Sequence, residues 1–365
     1  MSDNIHNLIR RRTEALRREM KASNVPCYIS GGLSNIYYLT NYLETGEANI
    51  FMLIPLDSDP VLFVPRMNYA RALENAVGCY VEPIEAGEKF SEKISEKIRE
   101  MHVKQVFFDE LSAVSYKSIK KSLDKQLLEP KPDIFQRLRQ VKDEAEMRLL
   151  IKAAELSALG AKTALETLRA GLREFEVAAE AEYAMRKRGS DGVAFETIVA
   201  SGSRSAYPHG ECGRRRIKNG DAVIVDIGAN YRGYKSDITR TKFIGTPSAE
   251  QLHAYTVVYS AYEEVSKNVK PGMVGKDIDG IARGIIEREG YGKYFLHGLG
   301  HGVGIDIHES PWLTVRSNDY IVEKNVITLE PGIYIPHKFG IRIEDTVRVT
   351  KDGITVLTQL AKNIY

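Results

Sequence analysis

Two stretches of the chain, DAVIVDIGANYRGYKSDITRTKFIG (221–245) and NVITLEPGIYIPHKFGIRIEDTVRVT (325–350), read as pairs of apolar strands that carry acids in their interiors. Folding the first about residues 230–233 brings Asp226 opposite Asp237. Folding the second about residues 336–340 brings Glu330 opposite Glu344. Residues opposed across antiparallel strands share a face, with Cβ atoms about 4.5–5.5 Å apart. Acids held that close among Val223, Val225, Ile227 and Ile238 resist ionisation unless a cation lies between them. If both hairpins deliver their pairs to one cleft, the four carboxylates call for about four positive charges, which two divalent ions supply. Arg342, two residues before Glu344 and on the same strand face, is an alternative source of charge.

What precedes each hairpin is also alike. The helical patterns KDEAEMRLLIKAAELSALGAKTALETLRA and REFEVAAEAEYAMRKRG lead through SAYPHG to the first, and SAEQLHAYTVVYSAYEEVSKNV and DIDGIARGIIEREG lead through a histidine-rich segment to the second. The repeated order implies an internal duplication with pseudo-twofold symmetry in an α+β domain. Upstream, an amphipathic first helix is followed by PCYIS, NIYYLTNY, NIFMLIPL, PVLFVPR and KQVFFDE, which read as strands, and by SEKISEKIREMH and SAVSYKSIKKSL, which read as helices. This is a small α/β domain, and the proline-containing LLEPKPDIF (127–135) is the expected junction, giving domains at 1–133 and 134–365.

The segment HGLGHGVGIDIHE (297–309) poses a question of its own, because its three imidazoles suggest a metal site. His297 and His301 would share a face if the segment were helical. Glycines at 298, 300, 302 and 304 argue against a helix, each costing up to about 1 kcal/mol relative to alanine. A loop leading into a strand VGIDIHE is expected instead, with glycines that let the backbone approach a ligand closely.

Composition narrows the classes. With 51 basic and 49 acidic residues the net charge is +2, and no basic helix face points to nucleic acid or a membrane surface. Cys27, Cys79 and Cys212 are widely spaced and form no CxxC, which fits a reducing, cytoplasmic setting. The N-terminus is charged throughout, and no apolar run approaches the roughly 20 residues needed to span a bilayer, so a soluble protein is expected.

Taken in order, VIVDIGANYRGYKSDITRT, HGLGHGVGIDIHE, ITLEPGIY and IRIEDTV resemble the metal-ligand signature of the pita-bread metallopeptidases, in their prolidase and aminopeptidase P branch. SAYPHG matches that branch's upstream histidine motif, and the first domain, including SNIYYLTNY, is similar to its non-catalytic domain. The resemblance implies metal-dependent hydrolysis of the bond between an N-terminal residue and proline in short peptides, as a dipeptidase or an aminopeptidase. It implies Asp226, Asp237, His301, Glu330 and Glu344 as ligands of two divalent ions, with Asp237 and Glu344 bridging. Manganese suits the oxygen-rich set, with cobalt, iron or zinc as alternatives.

In the same resemblance Glu330 relays a proton, His209 and His308 donate hydrogen bonds beside the scissile peptide, and His297 lines the site. A proline ring must be gripped by shape, for which Tyr207 and Trp312 are candidate walls. Some prolidases carry an arginine where HESPWLTVRS has Trp312; Arg316 is the candidate substitute for meeting a substrate carboxylate, and Arg342 joins the substrate-binding set. Arg214, Arg215 and Arg216 either contact a carboxylate or are solvated. A homodimer is expected by the same analogy. The competing readings are a methionine aminopeptidase and a non-catalytic binding module on the same fold.

Overall fold

The computed structural model describes residues 2–44, 46, 48–123 and 126–362, apart from the side chains of residues 2–4. The chain divides into two compact units, Met1–Leu138 and Arg139–Tyr365. Among the described residues no helix is long and apolar enough to cross a membrane.

The first unit begins with α1 (Ser2–Ala22), whose Leu8, Ile9, Leu16 and Met20 form a buried stripe at helical spacing. It continues through β1 (Cys27–Ser30), α2 (Leu33–Thr40), β2 (Phe51–Pro55), β3 (Val61–Pro65), α3 (Tyr69–Asn75), β4 (Tyr80–Ile84), α4 (Phe90–Glu100), β5 (Gln105–Phe108), α5 (Ala113–Ser122) and β6 (Leu127–Pro130). The strands form one mixed sheet in the order β4-β3-β2-β1-β5-β6.

One expectation fails here. NIYYLTNY is helical: the Gly32 carbonyl accepts the first helical N–H groups, and Asn41, in the left-handed region at φ 60°, closes the last turn on the Tyr37 carbonyl. Capping and burial of residues 35–40 outweigh the strand preference of Ile36, Tyr37, Tyr38 and Thr40. LLEPKPDIF, the expected junction, runs from the edge strand β6 into the start of α6 (Asp133–Gln140), and the two units divide shortly after it, between Leu138 and Arg139.

The second unit holds α7 (Glu144–Thr167), α8 (Glu174–Lys187), β7 (Gly192–Val193), β8 (Ile198–Ser201), β9 (Ala222–Ile227), β10 (Ala229–Tyr231), β11 (Tyr234–Lys235) and β12 (Ile238–Phe243). It then repeats the plan with α9 (Ala249–Asn268), α10 (Gly275–Arg288), β13 (Gly300–Gly302), β14 (Glu309–Leu313), β15 (Val326–Leu329), β16 (Gly332–Ile335), β17 (Phe339–Arg342), β18 (Asp345–Val349) and β19 (Ile354–Val356). Each half has its own core. Leu156, Val177, Val199 and Val225 pack together in the first, and Val258, Ile278, Ile327 and Val347 in the second. In both halves an upstream strand, β8 or β13, pairs antiparallel with the first strand of the hairpin.

The hairpins share an interruption. The first runs as the ladder β9–β12, breaks, and resumes as β10–β11; the second runs as β15–β18, breaks, and resumes as β16–β17. In the first, Arg232 and Gly233 both adopt positive φ, 49° and 79°, and make the two-residue turn between Tyr231 and Tyr234. The fold is therefore centred one residue later than expected, and Asp226 faces Thr239 rather than Asp237. A two-residue change in register preserves the alternation, so both acids stay on one face. In the second hairpin the pairs Leu329↔Asp345 and Gly332↔Arg342 share one register, which sets Glu330 opposite Glu344 as expected.

Candidate metal centre

Asp237 and Glu344 sit at the ladder breaks, where the strands stop pairing and side chains can converge. One oxygen of each and one ring nitrogen of His301 lie within 4.8 Å of one another, all three residues being buried. His301 is on β13, held by its backbone N–H donating to Thr328 Oγ1 at 3.1 Å. Its Nδ1 faces the Gly302 carbonyl at 3.0 Å and so must carry the ring proton. The unprotonated Nε2 is then left facing two carboxylates, Glu330 Oε1 at 3.6 Å and Asp237 Oδ2 at 4.0 Å. A lone pair aimed at carboxylate oxygens is repulsive unless a cation stands between them.

His297 differs. Its Nδ1 donates to the Gly298 carbonyl at 2.7 Å and its Nε2 accepts from Tyr334 Oη at 2.8 Å, so neither nitrogen is open to a metal. His308 presents its ring to His301, centroids 4.4 Å apart, and lies near-parallel to Trp312.

Arg342 is the cation among the hairpin acids. It donates to Asp226 Oδ2 at 2.5 Å, Thr239 Oγ1 at 3.1 Å, the Pro208 carbonyl at 3.1 Å and Tyr334 Oη at 2.6 Å. It is buried and its guanidinium is engaged by these protein partners, and it also lines the cavity that opens onto the acids. Were Asp226, Asp237, Glu330 and Glu344 all ionised, one guanidinium would leave three negative charges uncompensated. Asp226 Oδ1, Asp237 Oδ1 and Glu344 Oε1 are buried with no hydrogen-bond partner. Orphaned carboxylate oxygens beside an imidazole lone pair are the donor set of a divalent cation site, so the residues fit metal.

The electrostatics agree. Burial, then the charges of Glu344, Asp226 and Glu330, push the Asp237 carboxyl well above its ordinary range. Burial, then Glu330 and Asp226, do the same to Glu344. Glu330 is pushed up to about 8 by burial, with Arg342 opposing. His301 and His297 are pushed down to about 3, mainly by burial, so both are neutral at physiological pH.

A carboxyl whose folded pKa is raised contributes stability below its unfolded pKa and loses it as pH rises through the folded value. The two buried histidines, lowered from 6.5, change the balance only below that pH. Metal-free protein is therefore expected to lose stability between pH 6.5 and about 8, the folded value for Glu330. Chemical unfolding of chelator-treated protein at the two pH values checks this, and excess divalent metal should abolish the loss.

A cavity of about 490 Å³ opens onto the cluster, lined by the four hairpin acids, His209, His297, His301, His308, Trp312 and Arg342, with Phe195, Ile198, Pro208 and Thr314 among its other walls. Tyr207 and Arg316 are not among its lining: both are exposed, and Pro208 takes the place expected of Tyr207. Arg215 is not a free basic residue, since it is paired with Asp221. The histidine segment also reverses its expected order. Gly300–Gly302 is the strand, and residues 303–308 form the loop. Its glycines serve packing between neighbouring segments, because a Cβ at Gly300 would overlap the Thr328 carbonyl and one at Gly302 the Ser310 carbonyl. Phe195, Ile198 and Thr314 carry no chemical signature in the sequence and were missed for that reason.

The sequence pattern of metallopeptidase family M24 matches residues 148–351, and that of the creatinase/prolidase N-terminal domain matches residues 12–141. The chain belongs to metallopeptidase family M24. It is 37% identical to a Xaa-Pro dipeptidase of Pyrococcus furiosus over 98% of this chain and 100% of that one. The solved Xaa-Pro dipeptidase of Bacillus anthracis superposes with a TM-score of 0.91 at 32% identity, covering 98% of this chain and 99% of that one. The X-Pro aminopeptidase of Thermotoga maritima gives 0.84 at 32% identity, covering 95% and 99%. The architecture is accordingly a creatinase-type N-terminal α/β domain followed by the pita-bread catalytic domain, and M24 membership implies divalent metal ions at the cluster.

Proposed function

We propose that this M24 chain hydrolyses the peptide bond between an N-terminal residue and proline in short peptides. The observation that carries the reading is the His301 lone pair set against carboxylates whose buried oxygens lack partners, at the floor of a peptide-sized cavity. The relatives named above support the Xaa-Pro specificity. Asp226, Asp237, His301, Glu330 and Glu344 would hold two divalent ions. Such ions, when bound, polarise a carbonyl and render water nucleophilic near neutral pH.

The protein's own groups supply the rest. Glu330, at the cavity beside His301, would take a proton and pass it to the leaving amine. His308 and His209, at the cavity, donate hydrogen bonds to the developing oxyanion. His297, fixed between Gly298 and Tyr334, shapes the wall. Trp312 offers its ring to the proline or to the residue beyond it. Recognition of the substrate's free amino group beside the ligand carboxylates would restrict attack to the end of a peptide. An oxygen-rich donor set favours manganese over cobalt, iron or zinc. The protein works as a cytoplasmic homodimer in this reading.

Chelator-stripped protein should regain activity with Mn2+ and cleave Xaa-Pro and Xaa-Pro-Yaa peptides at least about tenfold faster than Met-initiated peptides lacking proline. Preference for the Met peptides would reassign the chain as a methionine aminopeptidase. Absence of turnover with two ions bound would leave a binding module.

A further inference from the structure

Two buried cations outside the metal cluster, Arg139 and Lys142, converge on the end of the loop that carries His308. Lys142, whose side chain is fully buried, places Nζ 2.8 Å from Glu309 Oε1. Arg139 Nη2 lies 2.5 Å from Glu309 Oε2 and 2.7 Å from Asp306 Oδ2. The backbone bearing the two cations is itself fixed. Asp143 caps α7 with a reciprocal bond from Glu146, the Lys142 N–H donates to the Lys324 carbonyl, and the Gln140 carbonyl accepts from Asn325. On the other side Glu309 pairs with Gly302 at the start of β14, next to a register irregularity. Glu309 is the first residue of β14 and directly follows His308, which lines the cavity, so gripping the Glu309 carboxylate fixes the backbone that carries the imidazole.

A buried ion pair is a poor device for stability, because desolvation offsets most of the Coulomb attraction. It is a good device for fixing one geometry. We propose that Lys142 is a positioning residue of the peptidase: with Arg139 it clamps Glu309 so that the imidazole of His308 is held beside His301 and against Trp312. The inference rests on the peptidase reading of the site. Nothing in the local sequence announces it, since Lys142 and Glu309 are 167 positions apart.

The full-length, metal-loaded protein tests it through Lys142→Met, which keeps the volume and removes the charge. Loosening a catalytic group by about 1 Å costs on the order of 10²-fold, so kcat on an Xaa-Pro peptide should fall between about 10- and 100-fold. KM should stay within about threefold and metal content should be unchanged. Trp312 is the one tryptophan in the chain, so its emission should shift with the loop. Wild-type kcat with unchanged emission overturns the proposal, as does a loss confined to KM or matched by loss of metal. If Lys142→Met does not fold, Glu309→Gln, which retains shape and hydrogen bonding, is judged by the same readings. Should wild-type protein cleave no Xaa-Pro peptide, the proposed function fails, and the clamp then stands or falls on Trp312 emission alone.

Discussion

Asp237→Asn is expected to lower Xaa-Pro cleavage by at least about 10³-fold, equivalent to roughly 4 kcal/mol of transition-state stabilisation, and to strip bound metal. The amide matches the carboxylate in shape, so the change removes charge and little else. It does so at the residue whose oxygen lies within 4.8 Å of both the His301 nitrogen and the Glu344 oxygen. The effect on stability should have the opposite sign. Asp237 is buried against Glu344, Asp226 and Glu330, so removing its charge relieves repulsion in the metal-free protein. Metal-free Asp237→Asn should therefore unfold at higher denaturant than metal-free wild type at pH 8. Metal analysis, peptide hydrolysis and denaturant titration decide the matter together. A variant with full metal content and full activity would remove Asp237 from the centre.

Gly300→Ala is expected to destabilise the protein by about 3 kcal/mol, the upper end of what overpacking costs, and to weaken metal retention with it. A methyl group at that position meets the backbone carbonyl of Thr328 on β15, which no rotamer change can move aside. The Oγ1 of Thr328 also holds the His301 N–H, so pushing β13 away from β15 displaces the imidazole. Gly280 on α10 provides the control, for its added Cβ meets nothing within 4 Å. Gly280→Ala should stabilise by up to about 1 kcal/mol, because alanine is the better helix former. Urea unfolding of the two variants side by side should give shifts of opposite sign.

The features legible in the sequence were those with local causes. Alternating apolar residues around Arg232-Gly233 and the 336–340 loop announced both hairpins, and alternation alone placed the paired acids on common faces. The exact facing of Asp226 was misread because a turn can be centred on either of two overlapping dipeptides, and only Arg232 accepting a positive φ settles which. Tyr37 and Tyr38 promised a strand and sit in a helix, because the flanking caps at Gly32 and Asn41 act on a segment buried almost throughout. The four partners of Arg342 come from three separate parts of the chain, and no pattern along the sequence announces such a convergence. Tyr207 and Arg316 looked suitable by residue type, yet both face solvent.

The broken ladders have a consequence for how the enzyme comes into being. Asp226 and Asp237 belong to the first repeat, while His301, Glu330 and Glu344 belong to the second, so an emerging polypeptide holds fewer than half of the donors until nearly all of it has left the ribosome. Tight capture of metal must wait for the two repeats to close on each other. On the proposed ligand set, a chain lacking either repeat would hold an incomplete metal centre.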